Sequence, residues 1–312
     1  MGLPLLIGTL LGSLARFSAL RVDYRQYPSY PQGYVIHTAL GILGAFLGTA
    51  GPLALALGDF TAASFLAVAA SQFREIRDVE RQTLQALEQT ELVPRGTGYI
   101  EGIARVFEAR NYLAMAAGLL FSLGYLAGEA LAAGPLAALG ERWSGLLVGI
   151  PLSLVAWVRL ERYTRGPRVA DLADVVPAPI EFDGPMLTVA GVAVMNVGWG
   201  PARERYLKEG LAAEIRPRSA AAKATLANLG QRQAIAHDVM ALIGSQHDVD
   251  EPEFTPLIRR RADGTLVLAI LPAERNVDAF LAAIRQVPVL EGSVRKPLQS
   301  PVGRYLKGER PE

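Results

Sequence analysis

Pro94-Arg95-Gly96-Thr97-Gly98-Tyr99-Ile100-Glu101-Gly102-Ile103-Ala104-Arg105-Val106-Phe107-Glu108-Ala109-Arg110-Asn111-Tyr112 joins a charged segment to a long apolar run. Its charges recur at helical spacing. At about 100° per residue, Glu101, Arg105, Glu108 and Tyr112 fall on one stripe, while Ile100, Ile103 and Phe107 fall on an apolar face. Glu101 precedes Arg105 by four residues, the better order for a helical ion pair. A solvated helix would gain only about 0.3–0.5 kcal/mol from each such pair. The stripe leads straight into a membrane-length apolar segment, so its charges are read as candidates for function.

Outward from this stretch, the first half of the chain is a succession of apolar runs. Residues 3–20, 33–50, 53–73, 111–132 and 143–157 read as five membrane-spanning helices, the first carrying Arg16 and the third interrupted by Asp59. The first run follows Met1 with no basic stretch and no small-residue cleavage site, and reads as a retained span rather than a signal peptide. Arg16 falls near its end, where a long basic side chain snorkels to the interface. Gly8/Gly12, Gly44/Gly48 and Gly124/Gly128 are GxxxG pairs, which let helix backbones approach in lipid, within one chain or between copies. Arginines cluster after the first, third and fifth runs; the other two connections carry none before Arg142. The positive-inside rule then predicts an outside N-terminus and a cytosolic C-terminus.

From Val169 onward the pattern changes. Pro177, Pro179 and Pro185 mark a linker. Beyond it, residues 186–194 read as a strand too short to span a membrane, 202–213 and 220–244 as helices, and 256–261 with 265–271 as a hairpin about Ala262-Asp263-Gly264. A helix at 277–286 and a strand at 287–294 complete the expectation. The predicted architecture is therefore a polytopic α-helical membrane domain at 1–165, with an amphipathic segment at 74–111. A linker at 166–184, a soluble cytosolic α/β (α+β) domain at 185–298 and a disordered tail at 299–312 follow.

Composition narrows function by exclusion. The 312 residues are 51% hydrophobic and 20% charged, with a net charge of +1 and no cysteine. That balance argues against nucleic-acid binding, and the missing thiols exclude disulfides, thiolate metal sites and a cysteine nucleophile. No HExxH, GxSxG, GxxxxGK[ST] or strand-linked GxGxxG is present, so no cofactor or metal is expected.

Tyr99-Ile100-Glu101-Gly102-Ile103-Ala104 spells the hexapeptide that names the YIEGIA family of endospore-forming bacteria. With Asp23-Tyr24-Arg25-Gln26-Tyr27-Pro28 and the opening apolar run, the chain resembles that family over most of its length. The resemblance implies a sporulation-associated protein of the forespore membrane acting on the forespore's cytosolic physiology.

Within that frame the reading is of a membrane-tethered, non-metal protease whose partner is a cytosolic protein substrate or a small inhibitory protein. Glu101 and Glu108 would activate water or protonate the leaving amine, with Arg105 tuning them; His37, near the cytosolic end of the second span, would join them if either glutamate came within hydrogen-bond reach. Arg74, Arg77, Arg81, Arg95, Arg110 and Tyr112 would form a binding face at the cytosolic membrane surface, suited to anionic lipid or to a carboxylate or phosphate group. The turn 94–98 has the look of an anion-binding helix start. His237 and His247 read as structural. The acidic run 248–253 lacks the spacing of a calcium loop. The alternatives are a non-enzymatic scaffold that grips lipid and recruits a cytosolic partner, and a small-molecule or lipid transporter, which the lack of a mid-span charge disfavours.

Overall fold

The computed structural model describes residues 2–23, 31–164, 166–246, 256–299 and 301–308. Sequence readings at residues 24–30, Arg165, His247, the acidic run 248–253 and the last four residues lie outside the described residues. At Arg74 the helix is described but not the side chain. The chain divides into two compact units, Met1–Gln82 with Ile103–Arg165, and Thr83–Gly102 with Gly166–Glu312.

The first unit is helical: α1 Gly2–Asp23, α2 Pro31–Ala56, α3 Phe60–Ser71, most of α4 Phe73–Leu87, most of α5 Thr97–Leu131, and α6 Gly140–Thr164. Among the described residues three helices are long and apolar enough to cross a membrane, Gly33–Ala56, Thr97–Leu131 and Ala137–Thr164, with Gly2–Ser18 a shorter apolar helix. The run read as a third span is broken. Gly58 turns the chain at φ +73°, and Asp59 caps a new helix by accepting from the Ala62 N–H at 2.9 Å. The resulting α3 has 12 residues, against the roughly 20 a span needs.

Small residues set the helix spacing, and they do so inside this one chain. A Cβ at Gly12 would stand 2.6 Å from both the Ala114 carbonyl and the Ala45 Cβ, and one at Gly128 would collide with the Ser144 carbonyl. Hydroxyls stitch the same seams: Ser122 Oγ donates to the Thr49 carbonyl at 2.8 Å, and Ser153 Oγ to that of Ala117 at 3.0 Å. Without a hydrophobic drive between helices in lipid, close approach and such bonds carry the packing.

The second unit is an α/β region with antiparallel sheets. Its elements are α7 Val169–Leu172, β1 Ala173–Ala178, β2 Ile180–Asp183, β3 Met186–Val189, β4 Val192–Asn196, α8 Gly200–Glu209, β5 Leu211–Pro217, α9 Ala220–Leu226, α10 Leu229–Ile243, β6 Leu257–Arg260, β7 Leu266–Ile270, α11 Val277–Gln286 and α12 Pro301–Leu306. One sheet has the order β1-β5-β7-β6, the other β2-β3-β4. Strand β7 is buried along its whole length, and Leu187, Val189, Val194, Tyr206, Val267 and Leu271 build a core between elements of both sheets.

Several sequence expectations shift here. Residues read as linker form β1 and β2; Pro177 is tolerated because β1 is an edge strand. The run at 186–194 is a hairpin, since Ala190 and Gly191 both adopt positive φ, at 50° and 74°. Asn228 caps α10 by accepting from the Gln231 N–H, splitting the helix read over 220–244. The helix read at 202–213 ends at Glu209, and β5 begins at Leu211. The strand read at 287–294 is an isolated bridge and a short 3-10 turn. In the tail, residues 301–306 are helical. The hairpin about Asp263-Gly264 and the helix α11 form as the sequence indicates.

Candidate functional site

In the first unit a polar cluster lies inside the helix packing. Arg16 is fully buried at 0% exposure, so it does not snorkel as expected from its place in α1. Its Nε donates to Asn111 Oδ1 at 3.1 Å and its Nη2 contacts His37 Nδ1 at 3.0 Å. A guanidinium only donates, so that histidine nitrogen accepts and the ring proton belongs on Nε2. The Phe107 ring lies 4.6 Å from the His37 ring and 5.5 Å from the Arg16 guanidinium carbon. Gly41 makes the space: a Cβ there would stand 2.5 Å from Arg16 Cγ. Glu80 acts electrostatically on His37, and Glu161 on the buried Arg110. The Asn111 amide nitrogen is buried with no hydrogen-bond partner.

Around this cluster, Arg77 meets Glu108 at 3.6 Å and Arg81 meets Asp78 at 3.2 Å. Arg105 and Tyr112 are exposed, and Glu108 is half-buried. The apolar face read from the motif is core, with Ile100, Ile103, Ala104 and Phe107 all buried.

The second unit holds a different constellation, built by residues 83–102 against α10. The turn before α5 contains its own anion. Glu88 accepts from the Arg95 and Gly96 backbone N–H groups, both at 2.7 Å, where the N-terminal helix dipole favours negative charge. The helix start read as an anion site is thus filled by the chain itself. Arg95, read as part of a membrane-surface face, is instead buried and paired with Glu91 at 3.0 Å and Glu88 at 3.5 Å. Gly96, at φ +81°, leaves room for Gln233, whose Oε1 would be 2.7 Å from a Cβ there. Glu101 is half-buried in this unit.

Beyond the turn, Tyr99 is 1% exposed and its hydroxyl reaches Asp238 Oδ1 and Oδ2 at 2.7 and 2.8 Å. Burial pushes the Asp238 carboxyl up to about 7, against the pull of the Tyr99 hydroxyl and the Arg95 charge. Its neighbour His237 bonds the Val93 carbonyl through Nδ1 at 2.6 Å. That carbonyl accepts, so Nδ1 carries the proton and Nε2 keeps its lone pair. Burial pushes the His237 pKa down, the Val93 bond opposing, and the ring is held neutral. A buried carboxyl pushed up to about 7 and bonded by a phenol can take up and return a proton at cellular pH.

The sequence reading missed Asp238, because it lies mid-helix and its partner is 139 residues away. It read Arg16 as an interfacial side chain, although a lone charge in an apolar run is itself a signal for function. Among the described residues no group of three or more His, Asp or Glu is placed to hold a metal ion. A cleft of about 310 Å³ in the second unit, bordered by Pro177, Tyr206, Arg275 and Phe280, is lined by none of these site residues.

A family model described as YIEGIA protein matches residues 4–300. The uncharacterized protein YphB of Bacillus subtilis (strain 168) is 37% identical over 297 residues, which make up 95% of each chain. No solved structure matches the chain.

Proposed function

Because the chain belongs to the YIEGIA protein family, we propose that it is a sporulation-associated, multi-pass protein of the forespore membrane that acts as a membrane-tethered, non-metal protease on a cytosolic protein. In this reading α1 lies in the membrane with the three long helices, and the arginines that follow α6 set the second unit in the cytosol. The observation that carries the reading is the Tyr99–Asp238 hydrogen bond. It ties the motif tyrosine to a carboxyl whose proton affinity suits acid–base work near pH 7.

The chemistry balances with these groups alone. Ionised Asp238 takes a proton from a water as the water oxygen bonds to the scissile carbonyl carbon. The same carboxyl then returns the proton to the amine as the C–N bond breaks. Tyr99 holds the carboxyl, and His237 offers a second acceptor. Pulse-labelled turnover of cytosolic proteins, in cells making the wild-type chain or Asp238→Asn at matched levels, tests this. A few proteins should disappear only with the wild type; equal turnover from both would remove the hydrolytic role.

A scaffold is the second reading, and one observation favours it. Tyr99, Ile100, Ile103 and Ala104 of the motif are all buried, so the hexapeptide also serves packing. In that case the substitution of Asp238 leaves function intact, and loss comes from variants that unseat residues 83–102.

A further inference from the structure

Helix α3 is apolar but for Thr61, Ser64 and Ser71, and none of its residues is buried. Its 12 residues are too few to span a bilayer, and a short apolar segment in lipid is accommodated in part by oligomerising. Thr61, Ser64, Phe65 and Val68 recur at i, i+3, i+4 and i+7, so they share one stripe, and all four are exposed. Ser64 also stands apart chemically. The other described serines of the first unit, Ser13, Ser18, Ser71, Ser122, Ser144 and Ser153, each donate to a backbone carbonyl. Ser64 donates to none among the described residues.

Helix α6 carries the complement. Leu139, Trp143, Leu146, Leu147, Ile150 and Pro151 line an open, apolar groove of about 450 Å³ on this membrane-length helix. Pro151 lies inside α6 and has no N–H, so the Leu147 carbonyl four residues earlier lacks the donor of a regular helix. Water cannot replace that donor in hydrocarbon. Hydrocarbon tails can cover the groove and the stripe, but they bring no donor to the carbonyl and no acceptor to the hydroxyl. From Leu139 to Pro151 the groove extends about 18 Å by helical rise, the length of the 12-residue α3. Within one chain α3 rests on α2, whereas α6 rests on α1 and α5, and no α3 residue lines the groove. We propose that the exposed stripe of α3 in one copy of the chain docks in the α6 groove of a second copy, with the Ser64 hydroxyl donating to the Leu147 carbonyl. The contact is head-to-tail, and it joins an unused donor to an acceptor that has lost its own.

The chain has no cysteine, so introduced cysteines are its only thiols. Ala67→Cys, at an exposed position of α3, and Leu147→Cys, in the groove, are placed in two differently tagged full-length chains made together. A short bifunctional maleimide is then applied to the membranes. Leu6→Cys, at an exposed position of α1, replaces Ala67→Cys in the control. The Ala67–Leu147 pair should give a covalent dimer carrying both tags, several times more of it than the control pair. Ser64→Ala in the first chain, or Pro151→Ala in the second, should lower that yield about threefold at low protein-to-lipid ratio, the scale of one interhelical hydrogen bond in lipid. Ser64→Ala alters only an exposed side chain, so it keeps the test decisive if Pro151→Ala changes the course of α6. The docking is refuted by the absence of a dimer with both tags, which is what a groove filled by lipid or by another protein's helix would give. It is also refuted by an equal yield from the Leu6 control, or by a yield that Ser64→Ala leaves unchanged.

Discussion

The Tyr99 hydroxyl lies 2.7 and 2.8 Å from the two oxygens of Asp238, so the first residue of the motif is bonded to a carboxyl on α10. The carboxyl is pushed up to about 7, from an ordinary value of about 4. Between those values the folded state holds a proton that the unfolded state has released. Stability from Asp238 is therefore complete at low pH and is lost as pH rises through about 7. His237 works the other way: its depressed pKa means the unfolded state binds the extra proton, so its contribution is lost as pH falls below about 6.5. The two slopes oppose each other, and only a difference measurement separates them. Asp238→Asn should remove the falling limb, by up to about 4 kcal/mol across the window. Denaturant unfolding of wild type and variant at pH 5 and pH 8 checks it; a pH-independent difference would contradict the raised carboxyl.

Tyr99→Phe keeps the buried ring and deletes only the hydroxyl. Asp238 then loses a donor in a shielded site, at about 1–3 kcal/mol. Because that bond draws the carboxyl pKa down, its loss should move the Asp238 titration further above neutrality. Infrared titration of the carboxyl band in the two proteins reads the shift directly. A titration unmoved by Tyr99→Phe would show that the hydroxyl does not control the carboxyl.

What was legible in the sequence follows the range of the forces involved. Long apolar runs, GxxxG spacings and the apolar stripe Ile100, Ile103 and Phe107 are local patterns, and helices with buried small-residue seams follow from them. The turn at Gly58 with the cap at Asp59 is equally local, yet hydropathy averaging hides it inside an apolar run. Ala190 at positive φ has no sequence signature at all. The site was the least legible part. Tyr99 and Asp238 meet only because residues 83–102 fold onto α10, and no periodicity in either segment records that. Arg16 looked like an interfacial residue because snorkelling is the cheapest fate for an arginine on an isolated span. Asn111, His37 and Phe107 give it a partnered interior place instead.

Gly128 faces the Ser144 carbonyl and Gly145 across the α5–α6 seam. Gly128→Val should drive those backbones apart and cost about 1–3 kcal/mol. Unfolding in mixed micelles would show the loss in monomeric protein, since the seam is internal to the chain. An unchanged unfolding curve would mean that α5 and α6 do not pack there.

Arg16→Gln shortens the side chain and removes the charge while Asn111, His37 and Glu80 stay in place. Hydrogen bonds to a charged group contribute about 1.5–3 kcal/mol each, and two are lost, so folded protein recovered from membranes should fall severalfold. Arg16→Lys should restore the charge without the fork that reaches both partners, and should rescue only in part. Full recovery with lysine would show that charge alone, and not the geometry to Asn111 and His37, is what the helices require.

The last prediction separates the motif stripe from the carboxyl on α10. Glu108 pairs with Arg77 at 3.6 Å in a partly exposed contact, an arrangement that contributes at most about 1 kcal/mol. Glu101→Gln with Glu108→Gln should therefore leave abundance and membrane insertion near wild type. If Asp238 transfers the proton, this double variant keeps the wild-type pattern of cytosolic protein turnover while Asp238→Asn loses it at equal abundance. The opposite pattern would place the chemistry on the stripe and leave the Tyr99–Asp238 bond as the fastening of residues 83–102 to α10. Quantitative proteomics on the same cultures, with abundance of each variant measured alongside, decides between the two.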